Sequence, residues 1–228
     1  MSSELRKLVG VLLASAIGMT ALIVLVPKLL GAAAGPEVEI LTELKEAESK
    51  GLELEAGFAE PLRSKKAGFQ RISVSVDAAD RATVTATLDF DGKVLETEVS
   101  SLGAERVPYA FRDGMWAPAE GHAPRLVAVV RALEKRRAAL EKGDVSKLCS
   151  GRADGGESAD LAELLRIEKR RIRALRWLIR SEREDVLVTE EARVTGTLPE
   201  RPVDDRVTRR LTLQPLPGGE FCFPDGLM

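Results

Sequence analysis

The first hydrophobic run of the chain is its longest and carries no charge. Residues Leu8 to Val26 contain no Asp, Glu, Lys or Arg, and Arg6 and Lys7 stand directly before them. At about 1.5 Å per residue, a helix of this length just crosses a hydrocarbon core of roughly 30 Å. The pattern therefore predicts a transmembrane helix over residues 8–30, preceded by a cytoplasmic tail of residues 1–7.

Two interpretations of this run stay open. As a signal anchor it places the basic N-terminus in the cytoplasm and the following domain in the periplasm of a bacterium, as a single-pass inner-membrane protein. As a cleaved signal peptide it ends at the small residues Ala32-Ala33-Ala34, with cleavage near Ala34, and the protein is then periplasmic or secreted. The run exceeds the usual signal-peptide core of about 7–15 residues, which favours the anchor.

Residues 31–68 are predicted to be a helix and a linker. Pro36 suits the first position of a helix, and Val38, Leu41 and Leu44 recur at helical spacing before Gly51 stops the pattern. The polar residues 63–68 are predicted to form an irregular segment before the next strand.

From residue 69 to residue 118 the period changes to two. Apolar residues from Ala82 to Phe90 alternate with Thr and Asp, as in a half-buried antiparallel strand. Asp91-Gly92 predicts a tight hairpin turn, and Asp113-Gly114 predicts another. This segment is therefore predicted to be an antiparallel β meander.

Residues 122–228 combine helices with further strands. Pro124 opens a predicted helix that Gly143 ends. A long amphipathic helix is predicted from Asp160 to Ile179, because apolar residues recur there at helical spacing. Strand periodicity returns at Val186. The predicted fold class is thus α+β, a transmembrane helix followed by curved antiparallel sheet packed with helices.

Composition narrows the function classes. The net charge is −2, which argues against a dedicated nucleic-acid binder. The chain has one His and one Tyr, so a catalytic or metal site that needs several histidines cannot form within one chain. We expect no cofactor, no metal site and no catalytic residue cluster.

The two cysteines, Cys149 and Cys222, are far apart in sequence. In an oxidising periplasm they could form a disulfide, which the chain-entropy estimate values at about 4 kcal/mol. Two unpaired cysteines in the core are the alternative.

A dense basic series marks the predicted long helix. Helical spacing places five of its members along one stripe, which is a candidate interaction face for an acidic partner or anionic headgroups. A solvated helix face balanced by nearby glutamates is the alternative. The five residues are Arg166, Lys169, Arg173, Arg176 and Arg180.

The second half resembles the nuclear-transport-factor-2-like (NTF2-like) superfamily of cone-shaped α+β domains. The resemblance covers residues 122–228 and depends on Arg131-Ala-Leu-Glu-Lys-Arg-Arg-Ala-Ala-Leu-Glu-Lys-Gly-Asp-Val-Ser-Lys-Leu148 and on Gly218-Gly-Glu-Phe-Cys-Phe223. A degenerate copy over residues 36–118 is suggested by two segments, Tyr109 to Trp116 and Leu211 to Phe221, which both have the order strand, glycine turn, aromatic strand. The superfamily includes non-catalytic members as well as isomerases, whose site would here draw on Asp144 and Trp177.

These observations predict a membrane-anchored envelope protein whose ectodomain binds another protein and takes part in assembly. Homo-oligomerisation is compatible with this role. Inner-membrane assembly factors of type IV secretion systems are similar in plan, with an N-terminal span and a periplasmic cone domain. The alternative is an exported domain that binds a small molecule or acts as an isomerase.

Overall fold

The computed structural model describes residues 35–55, 60–144, 159–182 and 184–223 of the chain. The predicted span from Leu8 to Val26 and the predicted cleavage site near Ala34 lie outside these residues. Among the residues described, no helix is both long and apolar enough to cross a membrane.

Three helices and nine strands make up the described fold. The helices are α1 (Pro36–Lys50), α2 (Pro124–Lys142) and α3 (Ala159–Arg166). The strands are β1 (Glu53–Leu54), β2 (Leu62–Ala78), β3 (Arg81–Val94), β4 (Thr97–Arg112), β5 (Met115–Pro118), β6 (Glu168–Glu182), β7 (Asp185–Thr197), β8 (Pro202–Pro215) and β9 (Phe221–Cys222).

All nine strands join one mixed sheet in the order β1-β2-β3-β4-β6-β7-β8-β9, with β5 paired to β4. Neighbouring strands are antiparallel except β4 and β6, which run parallel from Glu98 beside Arg176 to Gly103 beside Ser181. Each half contains a long helix, a three-strand meander and a short strand after the meander; the first half adds β1 and the second adds α3. The two halves meet at the parallel pair.

Both halves contribute to one large hydrophobic cluster, and a second, smaller cluster lies where α3 and the end of α2 pack on β6, β7 and β8. Ile40 and Leu44 of α1 and Val129 and Leu133 of α2 are fully buried against one face of the sheet, which we call the inner face. The opposite, outer face carries no helix among the described residues. Trp177 of β6 is fully buried on the inner face. The α+β class predicted from the sequence is confirmed in this described part.

The long helix predicted from Asp160 to Ile179 is wrong beyond Arg166, because residues 168–182 form β6. Two irregularities in the register of β6 against β7, one between Ala174 and Arg176, interrupt the alternation of period two. Leucines on the outer face add apolar positions that a strictly alternating strand would lack. Together these features produce spacing that imitates a helix.

Two predicted breaks are also wrong. Residues 63–68 belong to β2, and Asp91-Gly92 lies inside β3, which continues to Val94. A Cβ at Gly92 would lie 2.4 Å from the carbonyl oxygen of Arg63 and 2.6 Å from the Phe90 ring. Glycine is therefore required here by the close approach of β2 and not by a turn.

The other landmarks agree with the sequence. The helices begin at Pro36 and Pro124, and α2 ends at Gly143 in the left-handed conformation. Asp113-Gly114 forms the turn between β4 and β5. Glycine and proline positions thus predicted the helix ends well.

Candidate interaction face

The structure places three of the five predicted basic residues on the outer face of β6. Arg173, Arg176 and Arg180 are exposed there, because the irregularity after Ala174 restores them to one side of the strand. Arg166 instead ends α3 and pairs with Glu200 at 3.7 Å. Lys169 is exposed at the bulged start of β6.

Ion pairs balance the arginine charges of the outer face beside the first half of β6. Arg173, Arg193 and Arg206 lie in one row across β6, β7 and β8. Arg193 binds Asp204 through two hydrogen bonds of 2.6 Å, and Arg206 binds Glu191 at 2.6 Å. Arg173 pairs with Glu96. Each of these exposed pairs contributes little to stability, and together they balance the charge of the row.

Toward the end of β6, the side chains on the outer face are leucines and arginines. Arg180 lies in register between Leu102 of β4 and Leu187 of β7. The two leucine side chains are 46% and 45% exposed. Leu178 is half-buried beside them, and Arg210 of β8 is exposed. We call Leu102, Leu178, Arg180, Leu187 and Arg210 the leucine–arginine patch.

The composition of the patch resembles a binding surface more than a solvated one. Exposed leucines contribute apolar area, and arginine is enriched at the centres of protein interfaces. Arg180 has no ion pair among the described residues. An apolar segment that also carries a carboxylate would complement this surface.

On the inner face, a buried ion pair joins α2 to the sheet. Arg136 Nη1 donates to Glu190 Oε2 at 3.0 Å, and Trp177 Nε1 donates to Glu190 Oε1 at 3.1 Å. The Arg136 guanidinium also lies 5.5 Å from the centre of the Phe223 ring. Burial lowers the pKa of Arg136, which the Glu190 charge opposes. These contacts explain how charged side chains are tolerated in the core.

A second buried carboxylate caps α2 from the sheet. Glu105 of β4 accepts the backbone N–H of Arg125 at 3.0 Å and of Leu126 at 2.8 Å. The carboxylate thus replaces the side-chain cap that Ala123 lacks at this helix start. Burial raises the pKa of Glu105 to about 7, although both backbone hydrogen bonds oppose the rise.

One arginine binds the C-terminal ends of both α2 and α3. Arg170 donates to the carbonyl oxygens of Leu140 at 2.7 Å and of Leu165 at 2.8 Å, with longer contacts to Leu164 and Ile167. A cation at helix C-termini satisfies carbonyl groups that have no partner inside the helix. Arg170 is therefore a structural residue, although it belongs to the basic series.

The only tyrosine and the only histidine of the chain meet on α1. The Tyr109 hydroxyl donates to Glu43 Oε2 at 2.6 Å, and His122 Nε2 lies 2.9 Å from Glu43 Oε1. Burial acts to raise the pKa of Glu43, but the hydrogen bonds from His122 and Tyr109 outweigh it and lower that pKa. Burial and the Glu43 carboxylate raise the pKa of Tyr109. The cluster fixes α1 to β4 and to the loop before α2.

Two surface grooves accompany these clusters. The larger, of about 960 Å³, lies between α2 and the β8–β9 turn, and both Arg106 and Glu220 line it. The smaller, of about 490 Å³, is lined by α1 alone. Neither groove is lined by Glu105 or Glu190, the two buried carboxylates.

Other predicted positions do not form a site together. Trp177 packs in the core, and the Asp144 backbone N–H closes the end of α2 by bonding Ala139 at 3.0 Å. Cys222 in β9 is not a free thiol. Cys149, its predicted partner, lies outside the described residues, so the pairing stays a prediction. Sequence reasoning missed the Glu43 cluster, for which the single Tyr and single His were the available signal.

Of three comparisons with known proteins, only that with solved structures found a similar protein. No protein-family model and no curated protein matches the chain. Among solved structures, an "Ntf2 like protein involved in plasmid conjugation" aligns with a TM-score of 0.30 and 12% identity, covering 71% of this chain and 75% of that one. Overlap at this level says nothing about the chain's family, partner or chemistry.

Proposed function

We propose that the protein is a single-pass membrane protein whose ectodomain binds another protein through the leucine–arginine patch. The observation that carries this proposal is the row in which Arg180 lies between two leucines, each nearly half exposed. The partner segment is acidic and apolar, since it must cover leucines and complement Arg180 and Arg210.

The proposed location depends on the sequence alone. The uncharged run from Leu8 to Val26 supports a bacterial inner-membrane anchor, with the described domain in the periplasm. Cleavage near Ala34 would instead release the same domain. A reporter fused after Met228 tests the topology: an enzyme that works only outside the cytosol must be active in the fusion.

The proposed role is non-catalytic. Its support is that both buried carboxylates already have partners, Glu190 in Arg136 and Trp177, and Glu105 in two backbone N–H groups. Core side chains fill the space between α2 and the sheet. An isomerase-type site needs a carboxylate that is buried and also faces a substrate cavity, and neither Glu105 nor Glu190 lines a groove.

Site-specific photo-crosslinking in cells tests the interaction. A benzophenone amino acid at Leu187 is expected to yield a discrete cross-linked product that Arg180→Glu abolishes. The control position is Met115, which is 67% exposed and lies on β5, away from the patch. Equal products from both positions, or a product insensitive to Arg180→Glu, would contradict the proposed face.

A further inference from the structure

The two long edge strands of the sheet, β2 and β8, differ in how regularly they pair. Strand β2 has three register irregularities against β3. Strand β8 pairs with β7 from Pro202 to Leu213 without one. Strand β9 covers the end of β8 only at Gln214 and Pro215, and no other described strand pairs with β8 on that side. An irregular edge disfavours further pairing, whereas a regular edge presents a row of backbone N–H and C=O groups to another chain.

Charged side chains along this open edge are arranged in blocks of opposite sign. Asp204 and Asp205 lie on one side of Val207, and Arg209 and Arg210 lie on the other. Asp204, Asp205 and Arg210 are exposed, whereas Val207 and Arg209 are half-buried. The segment thus places an acidic pair and a basic pair at equal distances from one central valine.

The two basic residues of this edge, Arg209 and Arg210, make no hydrogen bond or ion pair within the described part of the chain. Asp205 has one exposed contact, with Arg201 at 3.5 Å. Asp204 already binds Arg193 through both carboxylate oxygens. Because a carboxylate accepts up to about four hydrogen bonds, both aspartates keep acceptor sites. The edge therefore carries two cations without an ion pair and two carboxylates that are able to bind them.

We propose that β8 pairs with β8 of a second copy of this chain, antiparallel, about a twofold axis through Val207. In this register Arg209 lies opposite Asp205 of the second copy and Arg210 lies opposite Asp204, and the axis generates each pair twice. Directly opposite residues of an antiparallel pair lie on the same face with Cβ atoms about 4.5–5.5 Å apart, which brings these opposite charges into contact. The backbone groups of the open edge gain partners at the same time.

Other registers of the same two strands oppose like charges or mismatch the faces. Moving the axis to Arg206 places Arg206 opposite itself, and moving it to Thr208 places Arg206 opposite Arg210. Parallel pairing in register places every charge opposite its own copy. A shift by one position places Val207 opposite Arg206 or Thr208 and pairs the inner face of one sheet with the outer face of the other. The register centred on Val207 is therefore the one in which both acidic residues meet both basic residues.

This dimer is separate from the contact proposed for the leucine–arginine patch. Arg210, at the β8 margin of the patch, is the one residue that both contacts use. Arg180 and the three leucines lie on β4, β6 and β7, away from the open edge. Because the twofold axis is perpendicular to the sheet, both patches lie on the same side of the joined sheet. The inference thus goes beyond the proposed function and depends neither on the membrane anchor nor on the partner of the patch.

Disulfide cross-linking of the full chain, solubilised in detergent and oxidised with copper phenanthroline, tests the pairing. Val207→Cys is expected to give a covalent dimer, because Cα atoms of opposite residues lie about 4.5–5.5 Å apart, within reach of a disulfide. Thr208→Cys is the matched control: this position is exposed, but its two copies would lie about 8 Å apart. Its dimer yield is expected to be about tenfold lower. The unaltered chain gives the background from the native cysteines.

A mixed pair of chains checks the register on the exposed outer face. Arg206 and Thr208 lie opposite each other across the proposed axis. Differently tagged Arg206→Cys and Thr208→Cys chains, expressed together, should therefore form a mixed dimer, whereas neither variant alone should exceed the background. This measurement leaves Val207 unaltered, so it decides the question even if Val207→Cys disturbs the fold.

Two further substitutions in the Val207→Cys chain separate the edge from the patch. Arg210→Glu sets a carboxylate opposite Asp204 of the second copy and is expected to lower the dimer yield about tenfold. Arg180→Glu changes the patch two strands away from the edge and is expected to leave the yield unchanged.

Each outcome decides between the claims. A mixed dimer no stronger than that from either variant alone overturns the edge pairing, whatever Val207→Cys gives. A yield that is insensitive to Arg210→Glu overturns the charge pairing that sets the register. A loss with Arg180→Glu as large as that with Arg210→Glu shows contact through the patch and overturns the edge contact. Failure of the photo-cross-link at Leu187 contradicts the proposed function alone and leaves this dimer standing.

Discussion

Glu105 and Leu126 join the two halves of the sheet, since the carboxylate on β4 accepts the backbone N–H at the start of α2 at 2.8 Å. The last long strand of the first meander thus caps the helix that leads into the second. A carboxylate near a helix N-terminus is also favoured by the helix dipole.

The buried Glu105 is expected to make stability depend on pH. Its pKa is about 7 in the folded protein and near 4.5 in the unfolded chain. Between these values the folded protein keeps a proton that the unfolded chain releases, so the free energy of unfolding falls as pH rises from 4.5 to 7. The linkage amounts to ~3 kcal/mol across this window. Urea unfolding at several pH values measures it.

Glu105→Gln is the matched variant for this experiment. The amide keeps one acceptor for the helix start and does not titrate. Its free energy of unfolding should stay nearly level over the same pH range. A variant that retains the full slope of the unaltered protein would show that another group causes it.

The Glu43 cluster is expected to act at lower pH. Because the pKa of Glu43 is lowered in the folded protein, its contribution is present above its unfolded pKa and is lost as pH falls through the folded value. Tyr109→Phe removes the 2.6 Å hydrogen bond and should cost about 1.5–3 kcal/mol at pH 7. Thermal unfolding at pH 7 and pH 3 checks both statements. A cost that is the same at both pH values would contradict a hydrogen bond that depends on the charged form of Glu43.

Arg170 should be important for stability although it lies among solvated arginines. Arg170→Met leaves carbonyl groups at the ends of α2 and α3 without their donor, and we expect a loss of about 2–3 kcal/mol. Arg171→Met, at the adjacent exposed position, should change stability by less than about 0.5 kcal/mol. Chemical unfolding of both variants gives the comparison. Equal losses would contradict the capping role.

Gly92→Ala tests the close approach of β2 and β3. The added methyl group would lie 2.4 Å from the Arg63 carbonyl oxygen, and we expect a loss of about 1–3 kcal/mol. Gly68→Ala is the control, because a Cβ there meets only the flexible end of the Glu48 side chain, at 3.2 Å. Thermal unfolding distinguishes them. A stable Gly92→Ala variant would show that the two strands can move apart.

The cysteine pairing has a direct chemical test. If Cys149 and Cys222 form the disulfide, the unreduced denatured chain should show no reactive thiol, and reduction should lower stability by about 4 kcal/mol. Titration with a thiol reagent before and after reduction measures the first quantity. Two reactive thiols before reduction would exclude the bond.

The sequence predicted the structure best at residue types that have one dominant structural role. Pro36, Pro124 and Gly143 mark helix ends for reasons that are local to the backbone. Alternation was equally reliable along β3, because that strand is apolar on one side and polar on the other.

It was least informative where tertiary contacts decide. Strand β6 carries leucines on its outer face and an irregularity after Ala174, so its pattern fits helix and strand alike. Glu43 lies 66 positions from Tyr109 and 79 positions from His122, and nothing local predicts their meeting. The leucine–arginine patch likewise exists only once β4, β6 and β7 are aligned.

The order of strands in the sheet has a consequence for how the chain folds. Every pair of long neighbouring strands is a hairpin of consecutive segments, except the parallel pair of β4 and β6. Hairpins close short loops and form quickly. A pairing between distant segments forms more slowly, because the entropy cost of closing a long loop comes before the contacts that offset it. We therefore expect the two meanders to form first and their union along the parallel pair to be the slower step.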